Sequence, residues 1–160
     1  MSEVNQGRWA ARLDGDFVVF IIGTRVDWRH PIRWFRDVGG IMGMPYMLSE
    51  LEKHPEHGLL GYQSFGLANV QYWRSFEDLE RWAADPVLPH KPALQKYWKR
   101  VGRSPRSGIW HETFLVRDGE YEAIYGNMPP RGLGKAAELV PLAQDSTAGG
   151  RLRRRIADRP

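Results

Sequence analysis

The chain has 160 residues, no cysteine and a formal net charge of +4, which favours one domain and excludes disulfides and thiolate metal sites. No apolar stretch is long enough to span a membrane, and the N-terminal sequence MSEVNQGRWAARLDGD lacks the apolar core of a signal peptide. We therefore expect a cytoplasmic protein without a membrane partner.

Aromatic residues are frequent, with seven Trp, six Tyr and six Phe. Such a set can line a pocket for a flat apolar ligand, or it can fill the core and a subunit interface. Composition alone leaves both possibilities open.

The first half of the chain predicts three strands and one helix. DFVVFIIGTRV (16–26) is short, β-branched and almost entirely apolar, which predicts a strand buried on both faces. Apolar residues then follow helical spacing between positions 44 and 51. HGLLGYQSFG (57–66) and ANVQYWRS (68–75) are typical of two strands joined by a tight turn at Gly66.

The second half predicts two helices and two further strands. In SFEDLERWAAD, Ser75 and Asp78 resemble a capping box at the start of a helix. PHKPALQKYWKRVG (89–102) predicts the next helix. SGIWHETFLVRDGEYEAIYGNM then predicts a hairpin that turns at Asp118-Gly119, and a loop, a short helix and a loose tail follow.

This order, β-α-β-β-α-α-β-β, contains the β-α-β-β-α-β unit of an α+β, ferredoxin-like fold, whose antiparallel sheet carries helices on one face. The apolar strand 16–26 indicates that the opposite face is covered too, and a partner sheet in a symmetric dimer would cover it. We therefore predict a homodimer with a dimeric α+β barrel domain over residues 16–136. Residues 1–15 are predicted to be an N-terminal extension, and residues 137–160 a C-terminal tail.

The C-terminal tail is basic, since it contains GGRLRRRIADRP. A run of arginines can contact nucleic acid, but no nucleic-acid-binding motif accompanies it, so a solvated terminus is the favoured interpretation. We expect a small-molecule substrate and no nucleic-acid partner.

Three of the five histidines lie in polar connections. The spacing of His54 and His57 in KHPEHG suggests a metal site, but Pro55 breaks any helix and no third ligand follows nearby. His30 precedes a proline and is interpreted as a surface residue.

His90 opens the apolar face of the predicted helix 89–102, where it shares helical spacing with Leu94 and Tyr97. Its ring can bond a backbone group at the helix start. Alternatively it is an axial ligand, because a neutral imidazole in an aromatic-lined cavity suits heme iron.

His111 lies in the middle of the apolar strand GIWHETFLV. Strand alternation puts it on the face of Ile109 and Thr113, whereas Glu112 takes the opposite face with Trp110. His111 is either a core histidine satisfied by a backbone carbonyl or a general acid or base in a cavity.

The stretch YWRSFEDLERWAADPVLPHKPALQKYWKRVG, with GIWHETFLV after it, resembles the heme-containing aldoxime dehydratases. That resemblance implies a b-type heme, with His90 as the proximal ligand of its metal and His111 as the distal acid or base. Those enzymes contain two ferredoxin-like halves and this chain offers one, so a homodimer would supply the other. Ser64, Arg74 and Arg25 are candidates for their additional catalytic serine and arginine.

Over residues 17–136 the chain also resembles the fumagillin-pathway monooxygenase-like family of the dimeric α+β barrel superfamily, through VQYWRSFEDLERWA, GIWHETFLV and YEAIYGNMPPRGLGKA. The two resemblances imply a heme-dependent dehydratase or monooxygenase that acts on a small apolar substrate. The alternatives are a cofactor-independent monooxygenase, in which His111 deprotonates the substrate, and a non-catalytic protein that binds a hydrophobic ligand.

The loop YGNMPPRGLGKA (125–136) follows a predicted strand directly, so it is expected near one end of the sheet, where cavities open. Its cations Arg131 and Lys135 could meet a carboxylate, either a heme propionate or the substrate, and the loop would then act as a lid. An ordinary surface loop is the alternative.

Overall fold

The computed structural model describes residues 3–102, 106–142 and 147–157. None of the helices in these ranges is both long and apolar enough to cross a membrane. The strands are β1 (Asn5–Arg12), β2 (Phe17–Arg25), β3 (Leu59–Phe65), β4 (Ala68–Trp73), β5 (Gly108–Val116), β6 (Ile124–Met128) and β7 (Glu138–Pro141). The helices are α1 (Pro31–Asp37), α2 (Met44–Lys53), α3 (Phe76–Ala84), α4 (His90–Val101), α5 (Leu133–Ala136) and α6 (Ala148–Ala157).

The fold is α+β with two antiparallel sheets. The larger sheet has the strand order β3-β4-β2-β5. The elements from β2 to β5 run β-α-α-β-β-α-α-β, which is the predicted sequence with one additional helix, α1, ahead of the predicted helix α2. The turn between β3 and β4 contains Gly66, whose φ of 59° lies in the left-handed region that glycine adopts without strain. The sequence therefore predicted this half of the fold correctly except for α1.

One face of the four-stranded sheet packs against the helices. Residues that face each other across antiparallel strands share a sheet face, and Val18 of β2 pairs with Trp73 of β4. Trp73 is completely buried, with α2 and α3 packed over it. The core cluster on this face comprises Val18, Met47, Leu51, Leu59, Trp73, Leu79 and Trp82.

The opposite face of this sheet is covered in part by the chain's own second sheet, which has the order β6-β1-β7. Ala11 of β1, Phe17 of β2 and Leu133 of α5 form its buried cluster. A partner sheet is therefore not needed for this part of the face. The segments 1–15 and 137–160, predicted as an extension and a tail, each contribute a strand, because β1 pairs with β7.

The predicted hairpin at Asp118-Gly119 is wrong. The chain does turn there, with φ of 73° at Gly119, but β6 pairs with β1 rather than with β5. Contacts on either side of the turn explain the change of partner. The Asp118 backbone N–H donates to Asp16 at 2.8 Å, and the Tyr121 hydroxyl donates to the Leu13 carbonyl at 2.8 Å, which draws the chain toward β1.

β5, which contains GIWHETFLV, is an edge strand that pairs only with β2 among the described strands, and the exposed His111 is therefore not a core histidine. Its apolar side chains are largely exposed on both faces, with Trp110 at 46% and Leu115 at 71%. The predicted alternation is nevertheless confirmed, since His111 pairs with Ile22 and Glu112 with Ile21 on opposite faces.

The capping box at α3 is confirmed and extends into an ion-pair network. The Ser75 side chain accepts the backbone N–H of Asp78 at 3.1 Å. The buried Asp78 carboxylate accepts hydrogen bonds from Arg74 and Arg81, each at 2.7 Å. These bonds, that from Arg74 first, lower the pKa of Asp78 below its ordinary value.

We predict that Asp78→Asn lowers the free energy of unfolding by about 2 kcal/mol at neutral pH, because both arginines lose a charged acceptor. The pKa of Asp78 is lower in the folded protein than in the unfolded chain, where that of Asp is about 3.9. The ionised carboxylate therefore stabilises the fold fully above that unfolded pKa, and this stabilisation is lost as the pH falls through the folded-state pKa. The difference between wild type and variant should therefore shrink below about pH 4. Urea unfolding from pH 3 to 7 measures it, with the exposed Glu77→Gln as the control; a difference independent of pH would contradict the network.

Candidate functional site

A cavity of about 520 Å³ lies between the four-stranded sheet and helices α1, α2 and α4; we call it the helix-side cavity. This volume lies within the range of about 300–1,000 Å³ that is usual for small-molecule and cofactor sites. Its apolar lining includes Trp34, Phe35, Met44, Met47, Tyr62 and Tyr97. Its polar lining includes Thr24, Ser64, Asn69 and His90.

His90, the first residue of α4, lines this cavity and is half-buried. Its Nδ1 lies 2.9 Å from the Ala83 carbonyl oxygen, and its ring lies 5.3 Å from the Trp82 ring. A carbonyl can only accept, so Nδ1 carries the proton, and in the neutral ring Nε2 has a free lone pair. Both predicted features, the backbone bond and the cavity position, therefore occur together.

Thr24 of β2 links the four-stranded sheet to helix α1 at the cavity wall. Its hydroxyl donates to the Gly108 carbonyl at 2.8 Å and accepts the indole N–H of Trp34 at 3.2 Å. These two bonds tie α1 to the edge of the sheet. Trp34 is thereby held as one side of the cavity.

A buried row of polar side chains on β4 leads to the cavity, and the sequence analysis missed it. Trp73 donates to Gln71 at 2.9 Å, and Gln71 donates to Asn69 at 2.8 Å, where the row meets the cavity. The alternation Asn-Val-Gln-Tyr-Trp offered a signal, because Asn69 and Gln71 share a face with Trp73. Because Gln71 donates to the Asn69 side-chain oxygen, this row of hydrogen bonds orients the Asn69 amide. Its oxygen points toward Gln71, and its nitrogen points away from Gln71.

His111 lies on the same sheet face as the helix-side cavity but does not line it. It pairs with Ile22 and follows Ile109 by two residues, and both of those side chains line the cavity. The His111 ring is exposed and lies 5.4 Å from the Phe20 ring. His90 on α4 therefore lies over the same face of the four-stranded sheet that carries the His111 side chain. His111 is at the edge of that face, on strand β5.

Arg131 and Lys135 are not brought together with His90. Arg131 lies at a second cavity of about 600 Å³, between the four-stranded sheet and the β6 region, which we call the inter-sheet cavity. Lys135 is exposed on α5. The sheet separates the inter-sheet cavity from His90, so this loop does not form a lid on the helix-side cavity.

Of the three candidates for an additional catalytic serine or arginine, one lines the helix-side cavity and two do not. Ser64 lines the helix-side cavity, whereas Arg74 is engaged with Asp78 and Arg25 is exposed at the end of β2. His54, Glu56 and His57 bring their potential ligand atoms within 4.8 Å of one another, so Glu56 is a candidate third ligand beside the two histidines.

The exposed His54 and Glu56 already pair directly, with Nδ1 and Oε1 2.9 Å apart. This contact accounts for their proximity. His30 is exposed, as predicted, and pairs with Asp27 at 3.1 Å.

The chain is similar to a known protein family and to proteins of known structure. The model of the Monooxygenase af470-like family matches residues 17–133. The protein named Monooxygenase af470 from Aspergillus fumigatus is 26% identical over 171 aligned residues, which cover 92% of this chain and 60% of that protein. The chain thus spans less than two thirds of this relative.

A crystal structure of an aldoxime dehydratase in complex with butyraldoxime is similar in fold, with a TM-score of 0.59 and 17% sequence identity. The match covers 89% of this chain and 45% of the aldoxime dehydratase chain. The α+β fold of this chain therefore corresponds to slightly less than half of that larger protein.

We predict that Thr24→Val lowers the free energy of unfolding by about 2 kcal/mol, since it removes both hydrogen bonds of the hydroxyl. The fluorescence of Trp34 should change at the same time, because its indole N–H loses its acceptor. Thr113→Val on the exposed strand β5 is the matched control. Equal stability of the two variants in urea would show that this contact does not hold the cavity wall.

Proposed function

The chain belongs to the Monooxygenase af470-like family, and from that premise we propose that it is an enzyme that holds heme in the helix-side cavity through His90. Its substrate is a small, largely apolar molecule. His111 is proposed to transfer protons from the open edge of the same sheet face.

The observation that carries this proposal is the hydrogen bond between His90 and the Ala83 carbonyl. Histidines that ligate metals usually donate their other ring N–H to a carbonyl or carboxylate, which fixes the tautomer and the ring orientation. His90 makes that contact and leaves its Nε2 as the ligand atom. The aromatic lining of the cavity suits a flat macrocycle, and the residues present therefore fit heme.

The remaining polar groups of the cavity limit the substrate class. Tyr62, Ser64 and Asn69 are the uncharged hydrogen-bonding groups of β3 and β4 in the lining, amid mostly apolar side chains. They can orient one polar group of an otherwise apolar substrate. Heme, when bound, supplies one-electron and dioxygen chemistry.

A hemin titration tests the assignment of His90. We expect the purified protein to develop a Soret band with a one-to-one endpoint. His90→Ala should weaken hemin binding by at least about tenfold, because the iron loses its protein ligand.

His30→Ala is the control for that titration, because His30 is an exposed histidine at the start of α1. It should titrate like the wild type. If His90→Ala and the wild type give the same Soret maximum and affinity, His90 is not the ligand.

The role of His111 has a separate test. His111→Ala should retain the Soret band, while the peroxide-dependent oxidation of guaiacol by the hemin-loaded protein falls about a hundredfold, the usual loss of a general acid or base. Thr113→Ala lies on the same face of β5 and serves as the control. An unchanged rate in His111→Ala would assign this histidine to the surface.

A cofactor-independent monooxygenase is the second candidate. The backbone bond and the Trp82 contact of His90 are also those that a purely structural histidine makes, so they are equally compatible with a site that holds no heme. In this case His111 deprotonates the substrate, and colourless protein consumes oxygen with the substrate present. Activity without a Soret band distinguishes the two candidates.

We further propose that the chain forms a homodimer through β5. Among the described strands β5 pairs with β2 on one side only, so its other edge is unpaired. Its exposed apolar side chains form a surface of a kind that monomeric proteins rarely expose to solvent. A second copy is the proposed partner, since the fold corresponds to less than half of the aldoxime dehydratase chain. The exposed apolar residues of β5 are Ile109, Trp110, Phe114 and Leu115.

We predict that Leu115→Lys converts a dimer into a monomer in light scattering at micromolar concentration, because a lysine at the interface loses its hydration. Ile32→Lys makes the same change at an exposed position on α1 and should leave the dimer intact. A wild type that is monomeric at this concentration would contradict the proposal.

A further inference from the structure

The buried row of Trp73, Gln71 and Asn69 on β4 runs in one fixed direction. The indole N–H of Trp73 can only donate, so it meets the side-chain oxygen of Gln71, at 2.9 Å. The Gln71 side-chain nitrogen then donates to the Asn69 side-chain oxygen at 2.8 Å. Turning either amide round would set donor against donor, so Asn69 Nδ2 and its N–H groups lie outside the row.

Asn69 Nδ2 is accessible, although Asn69 as a residue is only 6% exposed. This nitrogen has no hydrogen-bond partner among the described residues. In the described part of the chain, the residues that are not exposed contain one side-chain polar atom that is both inaccessible and unpaired, and that atom is Gln63 Oε1. The unpaired Asn69 Nδ2 therefore keeps accessible surface.

The accessible surface of Asn69 Nδ2 faces the helix-side cavity. Asn69 pairs with Ile22 of β2 and with Ser64 of β3, so the three side chains share one face of the sheet. All three residues line the cavity. The cavity thus presents a hydrogen-bond donor that is unpaired and whose orientation is set by the buried row behind it.

The other polar groups inside this cavity do not offer a comparable donor. The Thr24 and Tyr97 hydroxyls already donate to backbone carbonyls, at 2.8 and 3.3 Å. The Tyr62 hydroxyl bonds to the Glu52 carboxylate. Neutral His90 donates through Nδ1 to a carbonyl and can only accept at Nε2.

The lining also limits the charge of an occupant. None of the described residues that line the helix-side cavity is Asp, Glu, Lys or Arg. A charged group would lose its hydration there without gaining an ion pair. Ser64 is exposed, so water can satisfy its hydroxyl. The unmet requirement of the cavity is therefore an uncharged acceptor opposite Asn69.

From these observations we infer that Asn69 sets the specificity of the helix-side cavity. Its Nδ2 donates a hydrogen bond to an uncharged acceptor, such as a carbonyl oxygen, on a mostly apolar ligand. A ligand of the same shape without an acceptor covers this donor and leaves it unpaired, which weakens binding. The inference rests on the proposed function only in placing the substrate in this cavity, and it does not depend on heme.

Calorimetric titration of the heme-free protein with 1-indanone and with indane tests the inference. The two probes share a bicyclic hydrocarbon frame, and only 1-indanone has a carbonyl oxygen. We expect 1-indanone to bind wild type about tenfold more tightly than indane.

Variants of Asn69 assign the preference to its N–H groups. Asn69→Asp exchanges the donor for an acceptor and retains the oxygen that Gln71 needs, so it should abolish or reverse the preference. Asn69→Leu, which has no polar atom, should bring the two probes to equal affinity. Thermal melting shows which of the two variants folds. Ser64→Ala removes the exposed hydroxyl beside Asn69 and is the control, with the preference unchanged.

A matched pair of variants identifies the cavity. Ala93→Phe fills the helix-side cavity and should weaken both probes, whereas Ala123→Phe makes the same change in the inter-sheet cavity and should leave both affinities unchanged. Equal affinity of the probes for wild type, no binding of either probe, or a preference that survives in the folded Asn69 variants would overturn the inference. A Soret band with equal probe affinities would leave the heme proposal intact and overturn this one, and a preference for 1-indanone without a Soret band would do the reverse.

Discussion

The alternation of side chains along β2 is the constraint on which the rest of this structure depends. β2 lies between β4 and β5, so every other residue is committed to one face of the sheet. Val18 and Ile22 face the helices, while Phe17 and Val19 face the second sheet. A one-residue shift of register would exchange the two sets and expose both cores.

The same alternation places the helix-side cavity and the inter-sheet cavity on opposite faces of the four-stranded sheet. Ser64 faces the helix-side cavity with His90, and its neighbour Gln63 faces the inter-sheet cavity with Arg131. Functional residues that are close in sequence therefore serve different sites. Any proposal that joins His90 to Arg131 at one ligand conflicts with this geometry.

Local signals in the sequence predicted the helices α2, α3 and α4 and their order, but not α1. The cap at Ser75 and the start of α4 at His90 depend on neighbouring residues alone, and both occur as predicted. Long-range pairing was not predictable in this way: β6 joins β1 across more than a hundred positions, despite a turn at Gly119 that favours a hairpin. An apolar strand at the sheet edge has the same local pattern as a core strand, which is why β5 was misassigned, and why His111 was expected inside the cavity.

The most direct test of the account concerns the tautomer of His90, because the proposed ligand atom depends on the Ala83 carbonyl holding the proton on Nδ1. Long-range ¹H–¹⁵N NMR of the metal-free protein at neutral pH measures it. The account predicts a protonated Nδ1 and an Nε2 with the chemical shift of an unprotonated ring nitrogen. A proton on Nε2 would contradict it, since Nε2 would then be a donor with no lone pair for a metal.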